Sequence, residues 1–118
     1  PGQWLAVSER IAHGALADDL MAKLKGLASV SDQSDGRAVI RVSGPKARDV
    51  LAKGLPVDLH PAVFQPGSAA TSVINLMGVT LWQLDETPSY DIAVFRSLAG
   101  SFWTWLTDSA GEFGYAVA

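Results

Sequence analysis

The 118-residue chain contains no cysteine. That excludes disulfides, thiolate chemistry and cysteine-based zinc or iron–sulfur sites, and it suits a reducing, cytoplasmic setting. Histidine is nearly as scarce, with His13 and His60 alone. Basic charge is missing from the second half. Residues 61–118 carry Arg96 against Asp85, Glu86, Asp91, Asp108 and Glu112, whereas residues 1–60 carry eight Lys/Arg and seven Asp/Glu. With a formal net charge of −3, the chain lacks the basic footprint of a nucleic-acid binder or a polybasic membrane patch. No apolar stretch approaches the roughly 20 residues of a membrane span. The start, Pro1-Gly2-Gln3-Trp4, has neither the n-region nor the apolar run of a signal peptide, and no initiator Met, so it reads as a processed chain or a fragment. There is no internal repeat, low-complexity segment or convincing linker, and the length fits a single domain spanning residues 1–118.

What is present is apolar and patterned. The second half holds three of the four tryptophans. Depleted charge with enriched aromatics is the composition of an interface core, and equally of a half that supplies most of the fold's own core. Trp4 to Val7 predicts a short strand. Leu16, Leu20, Leu24 and Leu27 form one stripe of an amphipathic helix over about residues 15–28. Asp18 and Asp19 lie in its first turn, and Asp19–Lys23 is an i,i+4 pair. Residues 29–34 predict a strand and Asp35-Gly36 a hairpin turn into a strand with Val39, Ile40 and Val42.

Gly44-Pro45 opens a helix with Pro45 at its first position, and Gly54 ends it. Residues 54–70 make a turn-rich connection anchored by Leu59, Val63 and Phe64. Residues 71–76 and 79–84 predict two strands around a Met77-Gly78 turn, and residues 92–95 a third. Ser97 is placed to cap a final helix to about residue 113, with Leu98, Phe102, Trp105, Leu106, Ser109 and Phe113 on one face. Strands and helices mix without βαβ repetition, which predicts an α+β fold, an antiparallel sheet with helices packed on one face.

Candidate chemistry is thin. Asp58 and His60 lie two apart, but two residues do not make a metal site, and a local turn explains them better. Ser43-Gly44-Pro45-Lys46 places cations near a helix start, where an anion could bind. Its glycine spacing is not that of a P-loop, and a tight strand-to-helix turn is the simpler reading. Asp85 and Glu86 are adjacent carboxylates, which point apart on a strand and read as a solvated turn. No catalytic, cofactor-binding or metal residue is assigned. The aromatic cluster at residues 102–106 is the sharpest oddity. Trp103 falls on the flank of its helix, either under a loop or exposed as an anchor for a partner. Trp82, Trp103 and Phe64 are the candidate partner-interface residues.

Several segments, in order and spacing, resemble the gamma subunit of heterotetrameric sarcosine oxidases. They are Gln3-Trp4-Leu5-Ala6-Val7, residues 31–37, residues 41–51 from Arg41-Val42-Ser43-Gly44-Pro45, Val57-Asp58-Leu59-His60-Pro61, Phe64-Gln65-Pro66-Gly67, Val94-Phe95-Arg96-Ser97 and Trp103-Thr104-Trp105-Leu106. Members of that family usually carry several tens of residues before the first of these, so the usual N-terminal segment is expected to be missing here. The resemblance implies a ferredoxin-like arrangement akin to the folate-binding domain of aminomethyltransferases. In those relatives an acidic pair follows a hairpin matched here by Ile74-Asn75 and Gly78. Leu81, Trp82 and Gln83 stand near the acidic positions, and none can act as a carboxylate base.

The resemblance therefore implies a non-catalytic, accessory subunit of a complex that oxidises sarcosine to glycine, hydrogen peroxide and a one-carbon unit. Its implied partners are alpha, beta and delta subunits, which hold FAD, FMN, NAD, tetrahydrofolate and zinc, with no cofactor in this chain. Two alternatives accompany it: a degenerate folate-binding or aminomethyl-transfer domain, and a subunit of a related N-methyl amino acid oxidase or dehydrogenase.

Overall fold

The structure, a computed structural model, describes residues 2–9, 11 and 14–118. The chain, read from sequence as one domain, groups into two compact units, Pro1–Asp35 and Gly36–Ala118.

In the first unit helix α1 spans Ala15–Lys23 and buries none of its residues. It stops five residues short of the expected end because Gly26, at φ 80°, takes the chain into a left-handed turn. Its Asp19–Lys23 pair forms at 3.1 Å. The strands expected at residues 4–7 and 29–34 are absent. Residues 29–34 hold Val30 among polar side chains that bond locally. Asp32 Oδ1 accepts from both the backbone N–H and the hydroxyl of Ser34, at 3.0 and 2.6 Å. Such local bonds compete with a ladder. A turn does fall at residues 34–36, but it leads into a strand without closing a hairpin.

The second unit is an antiparallel four-stranded sheet with helices on one face, the α+β fold expected. Strand β1 (Arg37–Ser43) is followed by helix α2 (Ala47–Ala52), strands β2 (Ala69–Ile74), β3 (Met77–Asp85) and β4 (Ser89–Phe95), a 3₁₀ turn and helix α3 (Ala99–Ala110). The sheet order is β1-β4-β3-β2. Strands β2, β3 and β4 are consecutive antiparallel neighbours, and β1 joins from across the sheet by pairing with β4, Arg37 opposite Phe95 and Ser43 opposite Ser89. β1 and β2 are therefore the two edges. Alternation sends Ala38, Ile40 and Val42 of β1, Met77, Val79 and Leu81 of β3, and Tyr90, Ile92 and Val94 of β4 to one face, where they pack with Val50 and Leu51 of α2 and Phe102 and Leu106 of α3.

Four local expectations are corrected. The hairpin between β2 and β3 turns at Asn75-Leu76, whose φ values are 48° and 67°, and Met77 and Gly78 belong to β3. Two positive φ angles make the primed turn that matches strand twist. With this phase Met77 is buried and Leu76 is left outside. Pro45 lies in a turn before α2, which starts two residues later than expected. Ser97 caps nothing by its side chain, because a 3₁₀ turn over Arg96–Leu98 leads directly into α3. In the connection before β2, Leu59 and Phe64 are buried as anchors, but Val63 is exposed.

Candidate partner-binding surface

The residues singled out for chemistry are engaged in local structure. His60 donates its backbone N–H to Asp58 Oδ1 at 2.9 Å, and its Nδ1 accepts from the Ala62 N–H at 3.1 Å, which is the turn expected. His13 lies outside the described residues. Among the described residues no three His, Cys, Asp or Glu side chains converge to hold a metal. At the proposed anion loop, the Gly44 N–H is taken by the Pro88 carbonyl at 3.0 Å, Pro45 has no N–H, and Lys46 pairs with Asp49 at 3.8 Å. Ser43 and Ser89 share a hydroxyl hydrogen bond of 2.7 Å. Asp85 and Glu86 are exposed at the end of β3. The Thr87 N–H bonded to the Asp85 carboxylate at 3.0 Å, helped by the Thr87 hydroxyl, holds its pKa below the usual carboxylate range.

Two hollows open on the second unit. A cleft of about 400 Å³ is lined by Lys53, Asn75, Ser101, Thr104, Trp105, Asp108 and Ser109. Its lysine is already committed: Nζ donates to the Ser109 carbonyl at 2.7 Å, pairs with Glu112, and sits 4.9 Å from the centre of the Phe113 ring. It thereby satisfies the C-terminal end of α3. A smaller hollow of about 110 Å³ lies on the sheet face away from the helices, around Gly78, with Thr71, Thr80, Ala93, Phe95 and Arg37 among its lining residues. The Arg37 guanidinium stands 5.2 Å above the Phe95 ring.

The surfaces are more informative than the hollows. On the face away from the helices, the register aligns Val73, Gly78, Phe95 and Arg37 in one row, and Ala69, Trp82, Asp91 and Arg41 in another. Val39, Val73 and Phe95 are exposed there, and Trp82 is part-buried. Trp103 is 41% exposed on the flank of α3. Phe64, expected at the same surface, is instead 5% exposed and packs 6.2 Å from the Tyr90 ring. Its ring belongs to the core because the loop carrying it folds in, tied by an Arg48 Nε donation to the Leu59 carbonyl at 2.9 Å.

Two features were not anticipated from sequence. Arg41 reaches Asp91 with two parallel hydrogen bonds of 2.7 and 3.0 Å, and the Asp91 side chain is 5% exposed. The available signal was a charge inside each of two apolar runs, Arg41 among residues 38–42 and Asp91 among residues 90–95. Leu76 stands 96% exposed at the hairpin tip in a left-handed conformation. A branched side chain seldom adopts that backbone.

Comparison with known proteins bears on the same chain. A family model described as the sarcosine oxidase, gamma subunit family matches residues 1–112. A sarcosine oxidase subunit gamma of Corynebacterium sp. (strain P-1) is 36% identical over 114 residues, 96% of this chain and 55% of the relative. One from Arthrobacter sp. is 34% identical over 119 residues, with the same coverage. The chain thus spans about half the length of the relatives it matches. Among solved structures, a chain of the heterotetrameric sarcosine oxidase from Corynebacterium sp. U-96 in complex with pyrrole 2-carboxylate superposes with a TM-score of 0.79. The identity is 35%, covering 89% of this chain and 54% of that one.

Proposed function

Since the chain belongs to the sarcosine oxidase gamma-subunit family, we propose that it is an architectural, non-catalytic subunit of a heterotetrameric oxidase acting on sarcosine or a related N-methyl amino acid. The observation that carries this reading is the second face of the sheet. The helices of the second unit, α2 and α3, pack on one face of its sheet, and Val39, Val73 and Phe95 are exposed on the other beside part-buried Trp82. Exposed apolar and aromatic side chains gathered on an open sheet face, among polar neighbours, fit an interaction surface. In this reading the face, with Trp103, meets alpha, beta or delta subunits, and Phe64 supports it from within. The flavins, NAD, folate and zinc of the reaction belong to those partners. No helix of the described residues is long and apolar enough to cross a membrane, and assembly in the cytoplasm fits the absence of cysteine.

Co-expression of the oxidase subunits with and without this chain tests the reading. The chain is expected to co-purify in fixed stoichiometry. Its omission should lower the yield and melting temperature of the complex while leaving turnover per assembled oxidase within about twofold. Partners that assemble and melt identically without it would refute the architectural role.

A further inference from the structure

We draw no further inference here: the strongest candidate, the uncharged outer edge of β2 running into exposed Leu76 at the hairpin tip, carries nothing because nothing in the structure shows what covers it.

Discussion

Tyr90 and Gln83 face each other across β3 and β4, both buried, and each keeps one polar atom without a hydrogen-bond partner, Tyr90 Oη and Gln83 Oε1. Gln83 spends its amide N–H on the Asp85 carbonyl at 2.8 Å. Burial raises the Tyr90 pKa above the ordinary tyrosine value. The nearby Arg48 guanidinium opposes that rise by its charge and by orienting N–H groups toward the phenol, without closing a formed hydrogen bond. The folded chain then holds this proton at pH values where the unfolded chain has released it. The stabilising contribution is complete below the unfolded pKa of about 10 and is lost as pH rises through the higher folded value. Tyr90→Phe removes an unpaired hydroxyl, so it should cost less than about 1 kcal/mol at neutral pH. It should also flatten the loss of stability between about pH 9 and 11. Urea midpoints of the two proteins across that range check both expectations.

Between elements, Gly54 makes the closest approach of any described glycine. It ends α2, and a methyl group built there would lie 2.6 Å from Cζ2 of Trp105 and 3.3 Å from Cγ2 of Ile74. The last turn of α2 thus meets α3 and β2 at one point, where an absent side chain allows the approach. Trp105 also lies 5.9 Å, centre to centre, from Phe102. Gly54→Ala forces the indole or the helix to move and should destabilise the chain by about 1–3 kcal/mol. The expected signature is a lower urea midpoint with an unchanged slope, accompanied by a shift in tryptophan emission. The sequence marks Gly54 as a helix terminator, and its role as a packing contact depends on Trp105, fifty-one positions later in the chain.

For the second unit as a whole, the decisive connection is between β1 and the three-strand meander. β1 touches the rest of the sheet through β4 alone. On the face away from the helices the Arg41–Asp91 pair clamps that seam. Removing the guanidinium strands a buried carboxylate. Arg41→Ala should therefore cost about 2–3 kcal/mol, less than for a fully buried pair because Arg41 is itself half exposed and water screens it. Thermal unfolding measures the loss. If the melting temperature were unchanged, the pair would have no structural weight.

Local pattern was sufficient for much of this molecule. β-branched and apolar runs bounded by turn signals marked β1, β2, β3 and β4, and the spacing of Phe102 and Leu106 marked α3, because such runs and the helical repeat are carried by neighbours along the chain. The mixed order of these elements already implied an antiparallel α+β sheet, and the ordered segments from Trp4 to Leu106 pointed to the family. The turn around His60 was also legible, since its bonds span two residues. What the pattern could not supply depends on pairing across the chain. The apolar and polar segments at residues 4–7 and 29–34 look extended but gain no ladder. The hairpin turns at Asn75-Leu76 because Met77 is needed in the core, which leaves Leu76 outside. Phe64 enters the core and Val63 does not, because the loop packs against Tyr90. Arg41 and Asp91 are fifty positions apart and become a pair only when β1 docks on β4. Whether a strand is central or at an edge, and so whether its backbone is spent or available, follows from sheet order, a property no single strand contains.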